Sequence, residues 1–317
     1  MKPLVVITDC DHGDIAIEHN IFAAAGLQMR LDSCRTEEDV IRAGRRANAL
    51  LTQYAPVTAK VLASLPDLQV VGRYGVGLDN IDLPAAEARR IKVVSVPDYS
   101  IDEVSDHALA LILALTRRVV QFDRDIHRGA WDFSSAGETR RSSQQCVGVV
   151  GLGRIGRAVA RKAACIGFRV LGHDAFVTPA GVASTTLKDL LARSDVVTLH
   201  LPLDSTTRHL IDAEALAGMK PGAVLVNTSR GAIVDQQALI TALNEGRLAG
   251  AALDVLEVEP PNPTGELLQL PNVVMTPHAA FYSRESIMEL KQRAAQGIVQ
   301  ALGEAPSPGD LHLTPGG

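Results

Sequence analysis

No apolar run in the chain is long enough to cross a bilayer. The longest apolar helical candidate, residues 108–115, stops at Arg117-Arg118, well below the roughly 20 residues that a span needs. Nor is a secretion signal expected, because Lys2-Pro3 precede only four apolar or β-branched residues before Thr8-Asp9, too short a run for its apolar region. Cysteine is scarce: Cys10, Cys34, Cys146 and Cys165 stand far apart, form no CxxC pair and have no histidine at ligand spacing. That pattern argues against a zinc site, so no metal is expected, and it fits reduced thiols in a soluble, cytoplasmic chain. Basic clusters are absent too. With 31 Lys plus Arg against 36 Asp plus Glu the formal net charge is -5, and nothing resembles a phosphate-backbone footprint, so nucleic acid is not expected as a partner. The chain has no internal repeat and no low-complexity tract. What is present is 46% hydrophobic and 21% charged residues over 317 positions, a composition that excludes disorder. At about 150 residues per domain it predicts two domains with sizeable cores.

Short β-branched runs at residues 4–8, 70–71 and 93–96 alternate with helical spacing at 59–65 and 84–90, the pattern of a parallel α/β sheet. Residues 101–131 then read as one long helix, entered at Ser100 with Asp102-Glu103 in its first turn, where carboxylates suit the dipole. Such a helix is placed to bridge two domains. A second series of buried strands follows at 147–150, 169–171, 196–199, 223–227, 250–253 and 273–275. Spaced at about 20 to 30 residues, these six match a doubly wound nucleotide-binding sheet. The last helix, residues 283–302, leaves that series, and residues 303–317 carry three prolines and four glycines, which predicts a mobile tail.

The strand Val147-Gly148-Val149-Val150 runs straight into Gly151-Leu152-Gly153-Arg154-Ile155-Gly156, then a helix, then a strand ending near Asp174. In that context the three glycines serve a tight turn, close approach of a pyrophosphate to a helix N-terminus, and close helix packing. Asp174 lies 18 residues beyond Gly156, where a carboxylate accepts hydrogen bonds from a ribose diol and repels a 2′-phosphate. Neither Ala175 nor Phe176 supplies an arginine for such a phosphate, so NAD is expected over NADP. Arg154 sits at the mouth of the turn, either against phosphate or in solvent.

Three polar groups follow strand ends in the second half: Asn227-Thr228-Ser229-Arg230-Gly231, then Asp254 through Glu259-Pro260, then Pro277-His278-Ala279-Ala280. A guanidinium there could grip a 2-keto carboxylate in a bidentate fork, and an imidazole could donate a proton to the carbonyl oxygen. A carboxylate beside that imidazole favours its protonated form.

Together with Val71-Gly72-Arg73-Tyr74-Gly75-Val76-Gly77-Leu78-Asp79-Asn80-Ile81-Asp82, these stretches resemble the D-isomer-specific 2-hydroxyacid dehydrogenase family, and the resemblance covers nearly the whole chain. The run His278-Ala279-Ala280-Phe281-Tyr282-Ser283 is similar to its phosphoglycerate dehydrogenase and C-terminal-binding-protein branches. The resemblance implies two doubly wound parallel-sheet domains: a Rossmann-type cofactor domain, residues 100–282, inserted into a flavodoxin-like substrate domain, residues 1–99 and 283–317. Catalysis is implied in the cleft between them. By the same resemblance Arg230 anchors the substrate carboxylate, His278 is the general acid or base, and Glu259 is its partner. Formate dehydrogenases of the family typically carry glutamine at the Glu259 position, which argues against that activity. The segment Tyr74, Gly75, Val76, Gly77 would offer backbone N–H groups to the carboxylate.

The implied NAD contacts comprise Gly151, Gly153, Arg154, Ile155, Gly156 and Asp174, then His200, Pro202, Thr207, Thr228, Ser229, Asp254 and Ala280. Asp254 reads equally as a helix cap or ion-pair partner, and His200 as a packed structural residue. Residues 102–120 correspond to the family's dimer arm, so a homodimer is expected. Two other readings share the same residues: an NAD(H)-sensing binding protein like the corepressors, and an oxidoreductase for a phosphonate or phosphite-type anion.

Overall fold

The structure, a computed structural model, describes residues 2–303 and 312–313. The expectation of a mobile tail over residues 303–317 therefore falls almost wholly outside the described residues. The first elements are β1 (Leu4–Ile7), α1 (Ala16–Ala24), β2 (Gln28–Leu31), α2 (Glu37–Gly44), β3 (Ala49–Thr52), α3 (Ala59–Ser64), β4 (Val70–Arg73), α4 (Leu83–Ala88) and β5 (Lys92–Val94). Next come α5 (Ile101–Thr116), α6 (Val119–His127), β6 (Cys146–Val150), α7 (Arg154–Ile166), β7 (Arg169–His173), β8 (Ala183–Ser184), α8 (Leu187–Arg193) and β9 (Val196–Leu199). The series continues with α9 (Ala213–Gly218), β10 (Ala223–Asn227), α10 (Gln236–Asn244), β11 (Leu248–Leu253), α11 (Glu266–Gln269) and β12 (Val273–Met275), and closes with α12 (Arg284–Gly303) and β13 (His312–Leu313).

The chain divides into two compact units, Met1–Tyr99 with Ser283–Gly317, and Ser100–Tyr282. In the first, the sheet order among the described residues is β13-β5-β4-β3-β1-β2, and every neighbouring pair is parallel. Reversed, β2-β1-β3-β4-β5 is the flavodoxin-like doubly wound order. The second unit has the order β12-β11-β10-β9-β6-β7-β8, again parallel throughout. Reversed, its six strands from β8 to β11 follow the Rossmann order, with β12 added at the edge. In sheets of this kind ligands bind beyond the carboxyl ends of the strands, where the winding reverses. The reversals fall between β1 and β3 in one unit and between β6 and β9 in the other.

Local chemistry explains the element ends. Thr36 and Asp39 form a capping box on α2, and Thr58, Asp82, Thr186, Asp212 and Asp235 each accept a first-turn N–H with their side chains. Each such cap is worth about 1 kcal/mol. In the second unit α5 packs Ala108, Leu111 and Ile112 into one core with Val147, Val149, Val159, Ala163 and Phe168.

The single helix expected over residues 101–131 is two helices. Thr116 Oγ1 donates back to the Ile112 carbonyl, and Arg118 takes a left-handed φ of 58° before α6 begins. Beyond Thr116 the apolar stripe that docks α5 ends, and α6 buries none of its residues. Four strands lacked a signal, among them β13, which pairs with β5 where a mobile tail was expected. β2 is an exposed edge strand of polar character, β8 spans two residues, and the buried Ala49-Leu50-Leu51-Thr52 of β3 has a composition that suits a helix equally.

Candidate active site

The carboxyl end of β6 leads into the glycine turn, and α7 starts there with Gly153 as its N-cap and no side-chain cap, leaving first-turn N–H groups for a ligand. Gly153 faces open space, whereas a Cβ on Gly156 would run into the Gly151 carbonyl oxygen. Arg154 is exposed, and Ile155 packs on the core of the unit. Asp174, just past β7, is held beside this turn. Its Oδ2 accepts the Leu152 N–H at 2.7 Å, and its Oδ1 accepts those of Phe176 at 2.8 Å and Val177 at 3.1 Å. Burial opposes its charge, but the backbone donors prevail and its pKa lies below the ordinary carboxylate value.

Past β9, His200 Nε2 lies 2.9 Å from Thr198 Oγ1, and burial lowers its pKa to about 3, so the ring is neutral. Thr207 Oγ1 donates to the Pro202 carbonyl at 2.7 Å and accepts the Asp204 N–H at 2.8 Å, closing the turn. Past β10, the Ser229 N–H donates to Asn227 Oδ1 at 3.0 Å and Ser229 Oγ donates to the Leu199 carbonyl. The Thr228 hydroxyl is buried with no hydrogen-bond partner among the described residues. An uncapped helix start, a clear space at Gly153, a fixed carboxylate and an orphaned hydroxyl are what a dinucleotide would complete.

Arg230, Glu259 and His278 follow β10, β11 and β12, consecutive parallel neighbours whose ends emerge on one edge of the sheet. His278 Nδ1 and Glu259 Oε2 are 2.7 Å apart, and Glu259 Oε1 accepts the Leu256 N–H at 2.8 Å. Burial pushes against the charge on Glu259, yet the hydrogen bond and charge of His278, the Leu256 N–H and the Arg230 guanidinium outweigh it, so its pKa lies below the ordinary value of 4.5. An ionised Glu259 assigns the proton to Nδ1 and leaves Nε2 for chemistry. His278 has a φ of 53°, uncommon for a residue with a side chain; strain of this kind gathers at functional sites. Its backbone N–H donates to the Asp254 carbonyl at 2.8 Å, and its ring meets Phe281 edge-on at 6.4 Å. Arg230 is steadied through its own carbonyl, which accepts Asn227 Nδ2 at 2.8 Å, and through Nη1, which donates to the Ser229 carbonyl at 2.7 Å.

In the other unit, Tyr74 is buried at the end of β4 and Gly75 has a φ of 132°, with the Arg73 guanidinium where a Cβ would lie. Within the described residues the N–H groups of Gly75, Val76 and Gly77 make no hydrogen bond and Val76 is 40% exposed, but the Tyr74 N–H, expected to join them, is spent on the Thr52 carbonyl at 2.9 Å, continuing the β3–β4 ladder. Consecutive backbone donors of this kind suit an anion.

Residues 109–280 match the family model described as D-isomer specific 2-hydroxyacid dehydrogenase, NAD binding domain. The chain belongs to this family. It is 42% identical over 266 residues to a glyoxylate reductase of Korarchaeum cryptofilum, covering 79% of this chain and 77% of that protein. It is 39% identical over 308 residues to a D-3-phosphoglycerate dehydrogenase of Mycobacterium tuberculosis. That match covers 95% of this chain but 56% of the relative, so the chain spans little more than half the length of that enzyme. A D-lactate dehydrogenase from Aquifex aeolicus, solved with NAD and lactic acid, superposes with a TM-score of 0.86 at 28% identity, over 94% of this chain and 95% of that one. The protein is thus an NAD-dependent 2-hydroxyacid dehydrogenase.

In this 2-hydroxyacid dehydrogenase Asp254 is engaged as a bracket beside His278. It is buried, its Oδ1 accepts Thr276 Oγ1 at 2.6 Å and the Ala279 N–H at 2.8 Å, and its Oδ2 accepts the N–H of buried Ala280 at 2.9 Å. It caps no helix. His107 on α5 joins this bracket, with Nε2 2.9 Å from Thr276 Oγ1, a role that sequence reading missed. The only signal was a histidine beside the apolar run of α5.

Proposed function

We propose that the chain interconverts a small, unphosphorylated D-2-hydroxy acid and its 2-keto acid, with residues 1–99 and 283–317 as substrate domain and 100–282 as NAD-binding domain. The observation that carries this reading is the 2.7 Å pair of His278 Nδ1 and Glu259 Oε2 beside Arg230 at the strand ends. In it, Arg230 grips the substrate carboxylate and polarises the carbonyl, and His278 Nε2 gives its proton to the carbonyl oxygen in reduction and takes it back in oxidation. Glu259 holds the imidazole ring and balances its charge. NAD, when bound, supplies or accepts the hydride. Gly75, Val76 and Gly77 offer N–H groups to the carboxylate, with Tyr74 fixing their start.

The restriction to unphosphorylated substrates rests on the carboxyl ends of β1 and β3. Asp9 accepts the N–H groups of Gln53, Tyr54 and Ala55 at 2.6–3.2 Å, and Asp11 accepts Tyr54 Oη at 3.2 Å and the Gln53 amide. Two carboxylates gathered where the winding reverses, against the single guanidinium of Arg73 that acts on Tyr54 and His12, leave this edge net negative and disfavour a second anionic group on the substrate. The test is NADH oxidation with glyoxylate, pyruvate, hydroxypyruvate and phosphohydroxypyruvate. Turnover of the first three with little of the fourth is expected. Silence throughout, with NADH binding seen by fluorescence, would favour an NAD(H)-sensing protein.

Replacing Asp174 with alanine should raise the efficiency of NADPH relative to NADH, read as the ratio of their kcat/KM values, and an unchanged ratio would remove Asp174 as the ribose reader. Glu259→Gln removes the ionised carboxylate that holds the imidazole, so the rate of reduction should fall and the acid limb of its pH profile, set by Glu259 ionisation, should disappear. The same pair has a stability consequence. Because the folded pKa of Glu259 is depressed, its contribution is complete above the unfolded value near 4.5 and is lost as pH falls through the lower folded value.

A homodimer fits the second unit. Half-buried to exposed along its length, α6 is followed by Trp131 and Phe133, each 89% exposed, an apolar surface suited to a second copy. A cytoplasmic setting fits four free cysteines, and no described helix is long and apolar enough to cross a membrane.

A further inference from the structure

The first unit contains a buried ion pair that the reaction does not use. Glu18 on α1 is fully buried and Lys291 on α12 nearly so, with Nζ 3.7 Å from Oε2. Stability alone is a poor account of such a pair, because apolar side chains of similar volume usually stabilise a core at least as well. What distinguishes it is its third member. Tyr74 Oη donates to Glu18 Oε1 at 2.7 Å, and Tyr74 is the residue before Gly75. Burial and the adjacent Glu18 charge both push the phenol pKa up, so the hydroxyl remains a donor.

The neighbouring segments converge on the same side chain. Lys291 Nζ also donates to the carbonyl of Asp14 and, at 3.5 Å, to that of His12, tying the connection between β1 and α1 to α12. The His12 ring packs edge-on against Tyr74 at 5.8 Å. Gly75 and Gly77 have no side chains with which to fix their own segment. It is restrained at its start, where the Gly75 carbonyl accepts the Val96 N–H at 3.1 Å, and by the residue before it, whose Tyr74 hydroxyl is held by Glu18.

We propose that Lys291, Glu18 and Tyr74 are a relay of positioning residues that pre-organises residues 75–77 to receive the substrate carboxylate. The proposal rests on the reading of that segment as the carboxylate site. A pre-organised segment binds without first being ordered, so cutting the relay charges that ordering to substrate binding and leaves the chemical step alone.

The test is steady-state kinetics of the full chain with NADH and the best 2-keto acid from the panel, for Tyr74→Phe, Lys291→Met and their double variant. Each single change is expected to raise KM about tenfold with kcat within about threefold of wild type and NADH affinity unchanged. A purely structural role would reduce the folded fraction, lowering apparent kcat at unchanged KM, and that result overturns the relay. In the double variant KM should rise no further than in the worse single, whereas a product of the two effects means independent action and also overturns it. If either single variant does not fold, as removal of one partner of a buried ion pair can cause, the KM-against-kcat split of the other decides alone. A wild type that binds NADH but reduces no 2-keto acid removes the reading beneath the proposal; an active wild type with an unmoved KM in the variants removes only the relay.

Discussion

Replacing His278 with asparagine is expected to lower kcat for 2-keto acid reduction by about 10²–10⁴-fold, the usual contribution of a positioned acid or base. Asparagine is the informative substitution because His278 sits at a φ of 53°, a conformation that asparagine tolerates and alanine does not. A loss in His278→Ala alone would mix catalysis with backbone strain. NADH affinity, followed by fluorescence, should be unchanged, since the glycine turn and Asp174 are organised by their own backbone hydrogen bonds. Glu259 gives an internal control. Without the imidazole it loses the partner whose hydrogen bond and charge hold its pKa down, so the carboxylate should titrate closer to its ordinary value. Turnover within about tenfold of wild type would remove His278 as the acid.

Strands buried on both faces were legible where the apolar run is rich in valine and bounded by glycine or aspartate, whereas β3, equally buried but built of Ala49-Leu50-Leu51-Thr52, was not. Thus β6, β9 and β10 stood out, with every residue of each buried. The edge strand β2 did not: Gln28-Met29-Arg30-Leu31 alternates polar with apolar residues, but it is four residues long, contains no β-branched residue and is mostly exposed, too weak a pattern to mark a strand. The break at Arg118 was hidden for a different reason: nothing in the local sequence forbids helix there, and what stops it is the end of the surface on which α5 packs. Among site residues, those that bear chemistry directly were readable from their position after strands. Those that hold them were not. Lys291, Glu18 and His107 gain meaning only from partners far along the chain, and pairings such as Glu18 with Lys291 leave no trace in local pattern. Asp254 shows the same limit: its residue type suggested a ligand contact, a cap or an ion pair, while its role as the bracket of residues 276–280 depends on three hydrogen bonds that only the fold supplies.

Arg230 should be the second position of large effect. Truncating one partner of a hydrogen-bonded charge pair typically costs about 2–5 kcal/mol, so Arg230→Ala is expected to lower kcat/KM by roughly 30- to 4,000-fold. Most of that loss should appear in KM, because the carboxylate is gripped in ground and transition states alike, with a smaller loss in kcat from the unpolarised carbonyl. Arg230→Lys should fall between, keeping the charge but losing the planar fork that matches a carboxylate. Two further readouts separate substrate binding from damage to the fold. Removing the guanidinium takes away one of the influences that depress the Glu259 pKa, so the acid limb of the pH–rate profile should move toward higher pH in Arg230→Ala and stay in place in Arg230→Lys. Added guanidinium should restore part of the activity to the alanine variant and none to the lysine variant. If Arg230→Ala changes kcat/KM by less than about threefold, the carboxylate is held elsewhere, and the N–H groups of residues 75–77 become its principal anchor.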